Sequence, residues 1–319
     1  MKVLVTGGAG YIGSTLVPML LAEGNQIRVV DALLHGGESL LGCLGHPAFE
    51  FVRGDLTETG VVMRAVAGIE AVVHLAAIVG DPACARQPGR AHAVNLEASL
   101  ALLDAARKAD VKRFVFASTC SNYGRMKDPL SYVDETSDLA PVSLYAETKV
   151  GFERALLAEN GFAATPLRFA TVYGVSARMR FDLTVNEFTM EMLTKGRLVV
   201  FGEQFWRPYI HVRDAARAVA MVLGAAEEAV AGRVFNVGAT AENYRKKDLV
   251  ELIRPHAPLA AVEFVHRDED PRDYRVSFER VRGDLGFQTT RSVADGIAEV
   301  AALVRSGVID DFGAARWRN

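Results

Sequence analysis

The chain is expected to fold as an α/β protein, a doubly wound parallel sheet carrying a smaller α/β lobe. Three observations lead there. Lys2 to Thr6 is a short apolar run that passes straight into Gly7-Gly8-Ala9-Gly10-Tyr11-Ile12-Gly13, then into a helical pattern, then into a second apolar run ending at Asp31. Apolar runs and helical patterns go on alternating as far as Phe169, which demands crossovers that place helices on both faces of one sheet. Beyond Gly174 the alternation breaks, so a second lobe is built from the rest.

The elements follow in order. Lys2 to Thr6 is β-rich and reads as a buried strand. The glycines after it permit a tight turn and close approach of the backbone to a pyrophosphate, and the helix N-terminus behind them supplies amide donors and a positive dipole. That helix runs to about Glu23, Gly24-Asn25 punctuates, and Gln26 to Val30 is the second strand. Asp31 stands where an acid binds the ribose hydroxyls of NAD and repels the extra phosphate of NADP. Residues 48–52 form a third strand before Gly54-Asp55-Leu56, 61–67 a helix, and 71–75 a fourth strand opening into Ala76-Ala77, small enough to let a cofactor lie against the chain. His74, inside an apolar run, reads as a core histidine. Residues 81–89 read as a loop and 92–108 as one helix with Asn95 near its start. Residues 112–117 are the fifth strand, delivering Ser118-Thr119. A loop-like stretch from Tyr123 to Pro141 includes Asp128-Pro129. A helix opens at Tyr145 and runs to about Asn160, and 165–169 is the next strand.

In the second lobe, helices are expected near 186–195, 214–225, 247–254 and 292–306, and strands near 197–201 and 262–266, with 233–238 returning to the main sheet. The final dozen residues carry no pattern and read as a tail. The implied partition assigns 1–172 plus about 211–240 to a dinucleotide-binding domain, and 173–210 with 241–319 to a substrate-binding lobe.

Composition narrows the function classes. The 319 residues are half hydrophobic, ample for a large core. A net charge of −3 gives no electrostatic footprint for nucleic acid or an anionic membrane, so an anionic ligand must be met by local arginines. Cys43, Cys84 and Cys120 are scattered, in no zinc or disulfide spacing. With no signal-peptide pattern and no apolar run of spanning length, a cytoplasmic protein is expected, with neither metal nor membrane partner.

The chemistry centres on Ser118 to Lys149. Tyr145 and Lys149, four apart on a helix, share one face. A free phenol, with a pKa of about 10, is a poor base at neutral pH. A lysine ammonium one turn away is expected to favour the phenolate. Thr119, at the end of an apolar strand, can hydrogen-bond the same substrate oxygen. The trio suits proton removal from an alcohol or sugar hydroxyl while a cofactor takes hydride.

Several motifs occur in a fixed order from Lys2 to about Phe287. They are the Thr6–Gly13 turn, Gly54-Asp55-Leu56, Val73–Ala77, Ser118-Thr119 with Tyr123-Gly124, Tyr145-x-x-x-Lys149, Leu167-Arg168-Phe169 with Val172-Tyr173-Gly174, and Arg207 before Tyr209–Val212. In this set the chain resembles the extended short-chain dehydrogenase/reductase family, particularly its NAD-dependent nucleotide-sugar epimerases and dehydratases. The resemblance implies a Rossmann domain in which Gly7, Gly10, Tyr11, Ile12 and Gly13 hold the pyrophosphate, Asp31 the adenosine ribose, and Asp55 with Leu56 the adenine. Leu75, Ala76, Ala77 and Asn95 would line the nicotinamide half. Tyr145 would be the base, Lys149 would hold the nicotinamide ribose, and Thr119 the reacting hydroxyl. Cys120 and Ser121 would face the sugar. Asn186 and Arg207 would meet the nucleotide diphosphate, Phe201 the nucleobase, and Arg272 the second phosphate position, with Arg275 its rival in Asp270-Pro271-Arg272-Asp273-Tyr274-Arg275. The resemblance also implies a homodimer through the helices beginning near His92 and Tyr145.

Departures from the family pattern bear on the reaction. The resemblance places an acid pair at positions 120 and 121 in 4,6-dehydratases and a glutamate at 121 in decarboxylases; here they are Cys120 and Ser121. Glu147 points off the Tyr145 face. Epimerisation at sugar C4 is therefore expected, with a sugar reductase or dehydrogenase, or a 4,6-dehydratase, as the alternatives. Arg178 and Arg180 are additional and would suit an acidic sugar.

Overall fold

The structure is a computed structural model describing residues 1–126, 128, 131–159, 161–268 and 272–319. The glycine-turn unit folds as its pattern requires: β1 (Lys2–Thr6), α1 (Gly13–Ala22) and β2 (Gln26–Asp31). The chain continues through β3 (Phe49–Arg53), α2 (Thr59–Val66), β4 (Ala71–His74), α3 (Asp81–Arg86), α4 (Pro88–His92), α5 (Ala98–Lys108), β5 (Arg113–Thr119), α6 (Leu144–Leu157) and β6 (Ala163–Phe169). Then come β7 (Thr171–Tyr173), α7 (Thr184–Thr194), β8 (Arg197–Phe201), β9 (Trp206–His211), α8 (Val212–Gly224), α9 (Glu227–Val230) and β10 (Phe235–Val237). The last elements are β11 (Asn243–Arg245), α10 (Lys246–Ile253), β12 (Ala261–Val265), α11 (Glu279–Leu285) and α12 (Val293–Ser306).

The main sheet has seven strands in the order β10-β6-β5-β4-β1-β2-β3, every neighbouring pair parallel. Its central strands are buried nearly throughout, as a parallel sheet covered on both faces requires. Side chains alternate between two apolar layers. Val3, Val5, Val29 and Val73 face the layer of α1 and α8, while Leu4, Val30, Val72, Phe114 and Phe116 face that of α2, α5 and α6. His74 is a core histidine, as expected: its Nδ1 bonds the Thr6 hydroxyl at 2.7 Å, its Nε2 bonds that of Ser99 at 2.8 Å, and burial pushes it down to about 3.

The second lobe contains a three-stranded sheet, β11-β9-β7, and a parallel pair, β12-β8. Its core gathers Tyr173, Phe188, Leu198, Tyr209, Leu249 and Val293 between them and α7, α10 and α12. The strands β7, β9 and β11 have no counterpart among the sequence expectations. β9 contains Pro208, a residue that argues against a central strand because it lacks an amide, yet β9 is central here.

Three other expectations are corrected. Residues 81–89 are not a loop: Pro82 and Pro88 open the short helices α3 and α4, where proline is tolerated in the first turn. The expected helix at 92–108 is divided by a π-helical stretch, Ala93–Glu97, before α5. The final residues are not a loose tail: Phe312 meets the Phe181 ring edge-on at 5.1 Å and the Trp317 carbonyl accepts from the Phe181 amide at 2.9 Å. Asn160, where the Tyr145 helix was expected to end, Pro129 of the Asp128-Pro129 step, and Asp270 with Pro271 lie outside the described residues.

Candidate active site

A cavity of about 770 Å³ opens at the carboxyl ends of the strands, where the order reverses between β1 and β4. One wall is the glycine turn, with Gly7, Gly10, Tyr11, Ile12 and Gly13 all lining it. Gly7 has φ +73°, and a Cβ there would stand 2.7 Å from the Ala76 amide nitrogen. A Cβ on Gly13 would stand 2.5 Å from the Gly7 carbonyl oxygen. Both positions need glycine to keep this wall as close as it is.

Asp31 ends β2 at the same wall. Its carboxylate accepts the Ala9 amide at 3.0 Å and the Leu33 amide at 2.8 Å. Burial pushes its pKa up, against the pull of those two amides. Asp55 accepts from the amide and hydroxyl of Thr57 at 2.9 and 2.8 Å and pairs with Arg90. Burial acts to raise its pKa, but Thr57 and Arg90 together hold it below the ordinary carboxylate value. Leu56, Leu75, Ala76 and Ala77 complete this side.

The chemically distinctive end is formed by β5 and α6. Thr119 ends β5, and its hydroxyl oxygen accepts the Ser121 amide at 3.1 Å, leaving the hydroxyl proton available. Ser143 caps α6 by accepting the Ala146 amide at 3.3 Å and donates to Asp81 at 2.7 Å. Tyr145 follows in the first turn, with Lys149 one turn on. The Lys149 ammonium donates to the Ala117 carbonyl at 2.8 Å and stands 4.6 Å from the Phe116 ring centre and 5.8 Å from that of Tyr145. One further turn brings Glu153, which accepts Ser118 Oγ at 2.6 Å and forms a buried pair with Arg168 of β6. These bonds fix α6 against the strand carrying Thr119.

Thr119, Tyr145 and Lys149 all line the cavity. The electrostatics differ from the expectation. Burial pushes the Tyr145 phenol up, and the leading positive charge opposing that is Arg180, not Lys149. Burial draws the Lys149 ammonium itself down to about 7, because it has left water for a carbonyl and two rings.

Other expected site residues divide. Ser121, Arg207 and Arg272 line the cavity. The Ser121 hydroxyl lies 3.3 Å from that of Tyr274, Arg207 lies over the Tyr274 ring at 5.5 Å, and Arg272 pairs with Asp81 at 2.7 Å. Arg275 instead packs over Tyr132 and Trp206. Cys120 turns into the core and donates to the Arg168 carbonyl at 3.1 Å. Asn95 is buried, and its side chain bonds both the amide and the carbonyl of Ile78, so it shapes the loop after β4 from behind. Asn186 is fully buried: it accepts the Gly174 amide and donates to Tyr11 Oη and the Arg180 carbonyl. Phe201 is half exposed, outside the cavity, under Arg267.

Lys246, Tyr274, Thr171 and Asn319 line the cavity without having been singled out as binding residues. Among the described residues, eight lysine and arginine side chains line it against three carboxylates. In a chain of net charge −3 this is a local concentration of positive charge, suited to phosphorylated ligands.

A profile of the NAD dependent epimerase/dehydratase family matches residues 3–238. The chain belongs to that family. Among its relatives, a dTDP-glucose 4,6-dehydratase of an Actinoplanes species is 33% identical over 96% of this chain and 98% of its own. A UDP-glucose 4-epimerase of Corynebacterium glutamicum is 29% identical over 99% of both. The crystal structure of the Thermus thermophilus UDP-glucose 4-epimerase in complex with NAD superposes with a TM-score of 0.84 at 29% identity, covering 97% of this chain and 100% of that one. This member of the epimerase/dehydratase family is an NAD-dependent enzyme of the extended short-chain dehydrogenase/reductase type. Its glycine turn and Asp31 fit that cofactor: the backbone can approach a pyrophosphate, and the carboxylate would crowd the additional phosphate of NADP. NADP is accordingly expected to bind at least about tenfold more weakly than NAD, since opposed like charges cost several kcal/mol. A titration in which NADP binds as tightly would contradict the Asp31 assignment.

Proposed function

We propose that this enzyme epimerises a nucleotide-diphosphate sugar at C4 by transient oxidation to a keto sugar. The observation that carries this reading is the makeup of the catalytic end. Thr119, Tyr145 and Lys149 line the cavity together, while positions 120 and 121 hold no carboxylate. Among the described residues the carboxylates on the cavity wall are those of Asp31, Asp55 and Asp81, and Asp81 is engaged by Ser143 and Arg272. Glu147 is exposed on the outer face of α6. Elimination of water needs a second general acid, beyond Tyr145, to protonate the departing hydroxyl; inversion at a carbon bearing a hydroxyl needs none besides Tyr145.

In this mechanism Tyr145 removes the hydroxyl proton, while Thr119 hydrogen-bonds the same oxygen. Bound NAD supplies reversible hydride transfer. The keto sugar turns in the cavity, and Tyr145 returns the proton after reduction from the other face. Lys149, held by the Ala117 carbonyl, stands one helical turn from the phenol, and Arg180 is the leading positive charge acting on it. Arg207 and Arg272 are suited to the nucleotide's diphosphate, which a guanidinium fork matches.

A second reading, 4,6-dehydration, draws support from the Actinoplanes relative. A turnover assay on UDP-, dTDP-, GDP- and CDP-sugars, with products resolved by NMR, separates the two. A stereoisomer formed without net NADH change supports epimerisation. A dehydrated sugar replaces it with the dehydratase reading, and stoichiometric NADH change replaces it with a reductase or dehydrogenase. The same reading includes a cytoplasmic homodimer paired through α5 and α6; a monomer mass in light scattering at micromolar concentration would remove the dimer from it.

A further inference from the structure

The loop after β7 is stitched to the glycine turn. Tyr11 Oη donates to the Gly174 carbonyl at 2.6 Å, and Ser176 Oγ donates to the Tyr11 carbonyl at 2.7 Å. Ser14 and Ser176 share a hydroxyl contact at 2.7 Å, and the Arg178 amide donates to Ser14 Oγ at 3.2 Å. Two guanidinium groups from the second lobe are thereby carried onto the cavity wall next to the turn. Arg178 is 4% exposed and Arg180 7%, and both line the cavity.

Their partners differ. Arg180 is neutralised by Asp182 through bonds of 3.0 and 2.6 Å. Arg178 has only neutral acceptors, the Arg318 carbonyl at 3.1 Å and Asn319 Oδ1 at 2.7 Å. Its Nε is buried without an acceptor, and among the described residues it makes no ion pair. Asp182 and Asp31 act on Arg178 only through space, without a bond to it; a buried guanidinium bonded to no carboxylate is costly, and a site that holds one is suited to an anion. Burial, and after it the neighbouring Arg180, draws the Arg178 guanidinium down to about 10.

The bonds from Ser176 and the Arg178 amide to Tyr11 and Ser14 set the pair on the cavity wall beside the glycine turn, within electrostatic reach of both ends of the cavity. Arg178 acts on Asp31 and His35, and Arg180 on Tyr11 and Tyr145. The pair thus lies between the carboxylate that meets the adenosine ribose and the phenol at the reacting end. In a bound dinucleotide, the group between those points is the pyrophosphate. We propose that Arg178, with Arg180 beside it, is the counter-charge for the NAD pyrophosphate, so that the cofactor is clamped between the glycine turn of one domain and the 174–183 loop of the other. The assignment rests on the cofactor and holds whichever sugar reaction the enzyme performs. Asn319 and the Arg318 carbonyl then serve as positioning groups, aiming the guanidinium.

The competing anions are the sugar nucleotide's diphosphate and the carboxylate of an acidic sugar. Calorimetric titration of Arg178→Gln with NAD, ADP-ribose, adenosine, UDP and UDP-glucuronic acid distinguishes them. Loss of a charge-assisted contact predicts NAD and ADP-ribose binding weakened by about 10- to 100-fold, with adenosine, UDP and UDP-glucuronic acid unchanged. Should the glutamine variant not fold, Arg178→Lys keeps a cation but not the fork and is expected to weaken NAD and ADP-ribose by several-fold, again sparing the uridine ligands. Wild-type NAD affinity in a folded variant overturns the proposal. So does weakening confined to UDP, which assigns the arginine to the substrate diphosphate, or to UDP-glucuronic acid alone, which assigns it to a sugar carboxylate.

Discussion

Replacing Tyr145 by phenylalanine is expected to lower turnover by about 10²- to 10⁴-fold, the usual contribution of a positioned acid–base group. NAD affinity should stay within a factor of about two, because the substitution removes one oxygen and no cation. The fold should survive, since the side chain's backbone neighbours hold α6 without it: Ser143 caps the helix and Glu153 ties it to β5 and β6. The assay is turnover on whichever sugar nucleotide the panel identifies, with NAD saturating. Retained activity would remove Tyr145 from the mechanism and, with it, the proton path from the sugar hydroxyl. The wild-type profile carries a second sign. Burial raises the phenol's pKa, so the base form gains population with rising pH and kcat/KM should climb on the alkaline side of neutrality.

The second large effect is expected at Lys149, in opposite directions for activity and stability. Lys149→Met should abolish most turnover, yet the cofactor-free protein should melt higher than wild type. In the folded state burial draws the ammonium down to about 7, whereas an unfolded lysine titrates near about 10.4. Between those values the unfolded chain binds more protons, so wild-type stability rises with pH across that window, and the penalty is present in full below pH 7. Methionine has no such term. Its curve should be flatter from pH 7 to 10 and higher at neutral pH, by a few kcal/mol at most at about 1.4 kcal/mol per pKa unit, less the lost bond to the Ala117 carbonyl. In a chain of this length that is a gain of several degrees in Tm. A methionine variant that melts lower, with an unchanged pH slope, would mean that the ammonium is well accommodated by Ala117 and the rings.

Much of this arrangement was legible in the sequence because it is local. The glycine turn, its flanking strands and Asp31 follow from consecutive residues, and Thr119, Tyr145 and Lys149 come from one strand and one helix in succession. Cys120 could have been placed by the same reasoning. Thr119 is extended, so when its side chain reaches the cavity that of its neighbour turns the other way, into the core. Asn186 and Phe201 could not. Whether an asparagine on α7 meets a ligand or bonds Tyr11 depends on how the lobes pack, and no periodicity encodes that. Nor did the sequence signal that Arg180 would be the leading positive charge acting on Tyr145, since that depends on how the second lobe packs against α6. The second sheet escaped for a different reason: its strands are short, and Pro208 breaks the pattern by which a central strand is recognised.

The distribution of the cavity's walls along the chain has an evolutionary side. The residues proposed to handle the proton lie in one stretch, Thr119 to Lys149, tied down by Glu153 and Arg168, whereas Arg207, Arg272, Lys246 and Asn319 arrive from separate places in the second lobe. Descendants of such a scaffold can exchange the outlying contributors one at a time, acquiring new sugars by small steps, while the reaction itself is inherited as a block.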